Sequence, residues 1–203
     1  MPLIRKTDIS DGFLALWERD ESTDQLLRRI TLSEEEQAYY DTISVEHRRQ
    51  EWLTWHVMIR ELIGPKVLTG YDGVGAPVLK NAPGHVSVSH SGPYVALYYR
   101  QERCGLDIEN IERKYERVVP RYISPQERNL LKGDPDNRFF ALMWSTKEAV
   151  YKYAGVRGLD FLDKIRVVAI DIDHALVSVS LSGETSFPLR YEFFKGHCLA
   201  YTL

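Results

Sequence analysis

The sequence predicts an α+β fold with helices and a small antiparallel sheet in each half of the chain. Three observations point there. Long amphipathic helical patterns occur at residues 45–63 and 139–154, one in each half. Short runs rich in Val, Ile, Tyr and Phe accompany them. Turn residues separate those runs closely enough for hairpins. The expected division is an N-terminal half at residues 1–100 and a C-terminal half at residues 101–203. No convincing internal repeat is visible, so a twofold relation between the halves does not follow from the residues themselves.

Residues 12–17, Gly-Phe-Leu-Ala-Leu-Trp, read as the first strand. Ser33 followed by Glu36 is a capping box at a helix start, and Glu34, Glu35 and Glu36 suit the positive end of that helix. From residue 45 to 63 the apolar positions, Trp52, Leu53 and Val57 among them, track one broad helical face until Gly64-Pro65 stops it. Gly70 to Pro77 is glycine-rich and reads as loop. Residues 85–90, 94–100 and 103–109 read as an antiparallel meander, joined by Ser91-Gly92-Pro93 and by a tight turn at Gln101-Glu102. Residues 113–132 alternate charge with apolar positions at roughly helical spacing, with a break at Pro120 and a new start at Ser124-Pro125. The helix at 139–154 closes at Gly155. Beyond Gly158 the runs at 164–171, 176–181, 189–194 and 197–202 read as strands.

At 203 residues and 44% hydrophobic, the chain can bury a core as one large domain or two compact halves. Its formal net charge of -3 supplies no global positive field for nucleic acid or an anionic membrane. Cys104 and Cys198 form no CxxC or Cys/His spacing, which argues against a zinc site or a disulfide framework and for a reducing, cytoplasmic setting. No stretch approaches the length of a membrane span. The expectation is a cytoplasmic protein that partners neither nucleic acid nor membrane.

Two segments bear on chemistry. In Cys104-Gly105-Leu106-Asp107-Ile108-Glu109 the alternation of a strand sends Asp107 and Glu109 to one face and Leu106 and Ile108 to the other. Two carboxylates about 7 Å apart along a strand suit a hard cation with oxygen ligands, although a solvated strand face gives the same pattern. In Trp144-Ser145-Thr146-Lys147-Glu148-Ala149-Val150-Tyr151-Lys152, Glu148 and Lys152 share a helix face. Alone they are a surface ion pair; packed on the strand, Glu148 would join the carboxylates and Lys152 would meet a phosphate. Ser89-His90-Ser91-Gly92 ends a strand at a turn where N–H groups and hydroxyls can hold phosphate oxygens, or simply forms a polar hairpin turn. No Ser-His-Asp or Cys-His arrangement for covalent catalysis is visible.

Taken together, residues 85–91 (His-Val-Ser-Val-Ser-His-Ser), 105–109 (Gly-Leu-Asp-Ile-Glu) and 144–152 (Trp-Ser-Thr-Lys-Glu-Ala-Val-Tyr-Lys) resemble the three ordered signatures of the 4′-phosphopantetheinyl transferase superfamily. The chain is most similar to its larger, monomeric, surfactin-synthetase-activating type. The resemblance implies a pseudo-twofold α+β fold of two similar halves, with the active site in the cleft between them. It makes the N-terminal half the coenzyme A side and the C-terminal half the metal and carrier-protein side. The implied reaction is magnesium-dependent transfer of 4′-phosphopantetheine from coenzyme A to a serine of an apo acyl or peptidyl carrier protein, releasing 3′,5′-ADP. Asp107, Glu109 and Glu148 would bind Mg2+, Lys152 would contact the transferred phosphate, and Ser89 with His90 would meet coenzyme A phosphates. Glu127 occupies the family's helical glutamate position and is a candidate base or water-positioning residue, with Glu148 the competing candidate.

On the nucleotide side the residues depart from the family pattern. Gly75-Ala76-Pro77 stands where Gly-Lys-Pro is usual, and His56 replaces an arginine that often follows Glu-Trp-Leu. Arg49, Arg60 and Lys80 are the cations that remain to hold the adenosine 3′-phosphate. The same departures admit a second reading, a family member that binds coenzyme A or a carrier protein without transferring. Arg113 to Arg121 places four positive charges against one negative just after the paired carboxylates. It reads either as a solvated helix face or as a docking patch for an acidic carrier, with Val118 and Val119 supplying apolar contact.

Overall fold

The computed structural model describes residues 2–130, 136–183 and 186–203. The chain divides into two compact units, residues 1–103 and 104–203.

The first unit contains β1 (Leu3–Ile9), β2 (Gly12–Glu18), α1 (Thr23–Leu27), α2 (Glu34–Thr42), α3 (Glu46–Leu62), β3 (Thr69–Tyr71), β4 (Pro77–Leu79), β5 (His85–Ser91) and β6 (Tyr94–Arg100). Its sheet is antiparallel in the order β1-β2-β6-β5, and β3 and β4 form a separate hairpin. Ala15, Val95 and Leu97 from the central strands and Leu53, Val57, Met58 and Ile59 from α3 are fully buried in one core. Each large aliphatic side chain removed from water in this way contributes about 1.5–3 kcal/mol. The Ser33 capping box forms as the sequence indicates: Ser33 Oγ accepts from the Glu36 amide at 3.3 Å and Glu36 Oε2 accepts from the Ser33 amide at 2.9 Å.

The second unit contains β7 (Leu106–Asn110), a 3-10 turn at Val119–Arg121, α4 (Pro125–Arg128), α5 (Asn137–Ala154), β8 (Ile165–Asp171), β9 (Leu176–Leu181), β10 (Phe187–Phe194) and β11 (His197–Thr202). The sheet order is β7-β11-β10-β9-β8, again antiparallel. Helix α5 starts at Asp136, whose side chain caps the Phe139 amide at 3.0 Å, and ends at Gly155, which adopts a left-handed φ of 62°. It packs on β7 and β11. Just before β7, Gly105 passes so close to α5 that a Cβ there would lie 1.9 Å from the Ala149 carbonyl oxygen.

Two expectations need correction. Residues 103–109 do not complete a meander with β5 and β6. Strand β6 lies between β2 and β5 and has no edge to offer, so β7 pairs with β11 instead. The helical spacing at 113–118 does not become helix, while the break at Pro120 and the new start at Ser124-Pro125 do appear: Tyr115 and Tyr122 are fully buried and bond the backbone oxygens of Asn110 (2.7 Å) and Phe140 (3.2 Å), which fixes turns on either side of Pro120. The final part of that expectation, residues 131–132, lies outside the described residues. Strand β1, the short α1 and the β3–β4 hairpin were not foreseen; β3 and β4 have only three residues each, too few for a period to show.

Candidate active site

In the second unit, β7 presents Asp107 and Glu109 on the face opposite Leu106 and Ile108, which are buried. Lys152 reaches back from α5 to Asp107 Oδ1 at 2.8 Å and to the Leu106 carbonyl at 3.0 Å. Glu109 Oε1 accepts from Arg113 at 2.7 Å and from the Trp144 indole N–H at 3.1 Å. The Arg113 guanidinium also lies 5.2 Å from the Trp144 ring centre. Trp144, Glu148 and Lys152 thus come from the α5 faces turned toward the strand, at the spacing of successive helical turns.

The electrostatics ties the three carboxylates together. Burial, then the neighbouring Asp107, pushes the Glu109 carboxyl up to about 7, against the pull of Arg113 and Trp144. Burial and Asp107 also raise Glu148, opposed by Lys152 and Arg113. Among the described residues no group of three or more His, Cys, Asp or Glu side chains is gathered at metal-holding spacing. The donor set nonetheless fits a hard divalent cation in its chemistry: three mutually repelling carboxylates, all oxygen donors, two of them raised by partial burial. In this structure two chain cations, Lys152 and Arg113, offset that negative charge.

Glu127 is enclosed. Its Oε2 accepts from the Ser124 amide at 2.8 Å, and its Oε1 accepts from the Val167 amide at 2.9 Å and pairs with Lys147 Nζ at 2.7 Å. Lys147 is fully buried and also donates to the Phe161 carbonyl at 2.7 Å. The carboxylate therefore ties α4, β8 and α5 together. Of the basic segment, Arg113 is engaged with Glu109 while Lys114, Arg117 and Arg121 are exposed. Val119 is buried and offers no surface, so only Val118 remains of the two apolar candidates.

In the first unit, Ser89 is buried in β5 and His90 beside it is exposed. His90 lines a cavity of about 390 Å³ whose walls include Tyr39, Trp52, Trp55, Tyr71, Arg48 and Pro77. Tyr39 stacks on Trp52 with ring centres 5.9 Å apart, and the Trp52 indole N–H donates to the Tyr71 hydroxyl at 3.0 Å. The three cations named as stand-ins for the 3′-phosphate site are engaged elsewhere. Arg49 donates to the Ile43 carbonyl at 2.6 Å and lies over Tyr40. Arg60 is buried against both oxygens of Glu36 at 2.7 Å, and Lys80 pairs with Glu35. His56 is buried between Trp52 and Trp55 and bonded to the Trp52 carbonyl and Thr69; burial holds it down at about 3, so it is a neutral core residue.

Sequence reasoning missed Arg48 and Glu51, although their i,i+3 spacing on a helix was a visible signal. It also missed that Lys147 lies inward while Lys152 faces the carboxylates.

Residues 103–202 match the family model described as the 4′-phosphopantetheinyl transferase superfamily. The chain is 29% identical over 136 residues to a 4′-phosphopantetheinyl transferase of Bacillus subtilis, covering 64% of this chain and 60% of that protein. It is 30% identical over 120 residues to the 4′-phosphopantetheinyl transferase psf-1 of Bacillus pumilus, covering 54% and 51%. It is 28% identical over 131 residues to the 4′-phosphopantetheinyl transferase Sfp of Bacillus subtilis (strain 168), covering 62% and 58%. The aligned regions thus span between half and three-fifths of these curated relatives. With the β7 carboxylates and the α5 signature inside the matched segment, the chain belongs to the 4′-phosphopantetheinyl transferase superfamily.

Proposed function

We propose that the protein transfers the 4′-phosphopantetheine arm of coenzyme A to a serine of an apo carrier protein in a magnesium-dependent reaction. The observation that carries this reading is the grouping of Asp107 and Glu109 on β7 with Lys152 and the electrostatically coupled Glu148 on α5. Phosphoryl transfer asks the protein mainly for charge neutralisation and alignment, and this grouping suits both. Asp107, Glu109 and Glu148 would hold the magnesium ion, which when bound supplies neutralising charge to the pyrophosphate. Lys152, released from Asp107, would hold the transferred phosphate and stabilise the charge that grows on it. The serine hydroxyl attacks phosphorus, the bond to the 3′,5′-ADP oxygen breaks, and the hydroxyl proton passes to a carboxylate. Of the two candidates, Glu148 is the better acceptor, because both oxygens of Glu127 are already committed to amides and to Lys147. Glu127 then acts as a positioning residue.

The aromatic cavity of the first unit, with His90 among its walls, is the proposed nucleotide site. The exposed Lys114, Arg117 and Arg121 are the proposed docking cations for an acidic carrier. Both cysteines are buried and neither is in a disulfide, which suits a reducing cytoplasm. Among the described residues no helix is long and apolar enough to cross a membrane. The test is to incubate the protein with magnesium, coenzyme A and an apo carrier and weigh the intact carrier. A phosphopantetheine mass increase that needs all three additions is expected. Binding of coenzyme A without any mass increase would instead favour the non-catalytic reading.

A further inference from the structure

Glu109 uses its two carboxylate oxygens unequally. Oε1 accepts from Arg113 Nη1 at 2.7 Å and from the Trp144 indole N–H at 3.1 Å, and Oε2 accepts no hydrogen bond among the described residues. A carboxylate oxygen offers two lone pairs, so two donors fill Oε1. Oε2 is left as the oxygen that can face a cation.

Both donors are held by neighbours that do not depend on Glu109. The Arg113 guanidinium lies 5.2 Å from the Trp144 ring centre and 5.9 Å from that of Tyr115. Tyr115 is fully buried, with its hydroxyl bonded to the Asn110 carbonyl at 2.7 Å, and Trp144 meets Tyr122 edge to face with ring centres 5.0 Å apart. Arg113 therefore rests in an aromatic seat although its side chain is 45% exposed, and it covers a glutamate that is only 19% exposed. An arginine waving in solvent would contribute little to such a pair. This one is stacked, and a stacked guanidinium gives up less freedom when it bonds a carboxylate.

We propose that Arg113 and Trp144 are positioning residues that confine Glu109 to one oxygen and so bias the site toward Mg2+ and against Ca2+. The inference rests on the reading of Asp107, Glu109 and Glu148 as metal ligands and adds what sets the choice of ion. The two ions carry the same charge but ask different things of a carboxylate. Ca2+ takes about six to eight oxygens and readily accepts both from one carboxylate, whereas Mg2+ demands octahedral geometry, keeps several waters and needs only one or two carboxylates. Filling Oε1 with N–H donors withholds the second oxygen of Glu109, a loss that bears on Ca2+ and spares Mg2+. The positive charge of Arg113 repels both ions alike, so it cancels from their ratio.

The experiment uses Mn2+ as the probe, followed by its electron paramagnetic resonance signal and displaced by Mg2+ or by Ca2+. Coenzyme A is left out because its pyrophosphate would itself bind the ion. Arg113→Leu and Trp144→Phe each open one lone pair on Oε1 and should each shift the Mg2+ to Ca2+ affinity ratio toward Ca2+ by about threefold to tenfold. The double variant should go little further than either alone, since one open lone pair is enough for a second metal bond. Arg113→Lys, which keeps a cationic donor on a stem of similar reach, should hold the ratio within about twofold of the wild type. Single variants that change both affinities equally, or that shift the ratio toward Mg2+, overturn the proposal. If Mn2+ fails to bind the wild type, or binds Asp107→Asn equally well, the carboxylates are not a metal site and the proposal falls with that reading.

Discussion

The two units use the same local device and differ in what they attach to it. In the first unit Ser33 and Glu36 form a capping box, and the Glu36 carboxylate also accepts the Thr69 amide at 3.0 Å and pairs with buried Arg60 on the long helix. In the second unit Ser124 and Glu127 form a capping box, and the Glu127 carboxylate accepts the Val167 amide and pairs with buried Lys147 on the long helix. Each glutamate is at once a cap, a partner for a strand amide and the counter-ion of a buried cation. Such a carboxylate in the first unit, which lacks the paired strand carboxylates, shows that the arrangement needs no catalytic explanation. The second unit differs in adding Asp107, Glu109, Glu148 and Lys152 around its long helix, and those additions mark the chemistry.

The hardest way to break the comparison is to remove the shared device. Glu36→Ala and Glu127→Ala each leave a buried cation without its partner and should each cost about 3–5 kcal/mol in denaturant unfolding. If Glu127→Ala abolished transfer while unfolding like the wild type, the parallel with Glu36 would be broken and Glu127 would return as the base. Next in size, Asp107→Asn and Glu148→Gln should lower transfer by at least about a hundredfold, the loss seen when one preorganised electrostatic group is removed. Unfolding midpoints should stay at or above that of the wild type, since repulsion among carboxylates is relieved. Near wild-type turnover at limiting magnesium in either variant would remove that residue from the ligand set.

The two units should also answer pH in opposite directions. Burial opposes ionisation of Glu36, but the Ser33 amide, Arg60 and Thr69 outweigh it and hold the carboxyl down at about 2, from an ordinary 4.5. Its contribution is present above pH 4.5 and lost as pH falls toward 2. Glu109, raised to about 7, binds its proton more tightly folded than unfolded, so its contribution is present below pH 4.5 and lost as pH rises toward 7. Metal-free protein should therefore lose stability on both sides, with Glu36→Gln flattening the acid limb and Glu109→Gln the neutral one. Amide exchange read separately for α3 and α5 would assign the limbs; a Glu109→Gln variant with an unchanged neutral limb contradicts the coupling with Asp107. The smallest effect concerns docking. Reversing Lys114 and Arg117 to Glu should raise the carrier KM by at least about threefold and flatten its salt dependence. Carrier kinetics that stay unchanged across a salt series would place docking elsewhere.

What the sequence made legible was local. The Ser33 box, the helix start at Ser124-Pro125, the Gly155 stop and the strands at 176–181 and 197–202 are all written in neighbouring residues, and all appear in the structure. The partner of a strand is not local. Gln101-Glu102 looks the same whether it closes a hairpin or carries the chain from one unit to the next, and only the filled edges of β6 decide between them. The site follows the same division. Alternation placed Asp107 and Glu109 on one face, and helical spacing placed Glu148 and Lys152 on another. That Lys152 rests on Asp107, that Glu127 takes Lys147, and that Arg48 rather than Arg49 lines the cavity depend on contacts between residues distant in sequence or on how one turn of helix is rotated.

The close pass at Gly105 has a consequence for variation. Every missense change of a glycine codon introduces at least one carbon at Cβ, and at this position that carbon falls 1.9 Å from a helix carbonyl oxygen. The codon has no permissive neighbour. Alanine, the smallest step available, already forces β7 and α5 apart, and with them the carboxylates of the strand and the lysine of the helix. At Gly158, Gly183 and Gly196 the same carbon would meet open space; at Gly105 it has none.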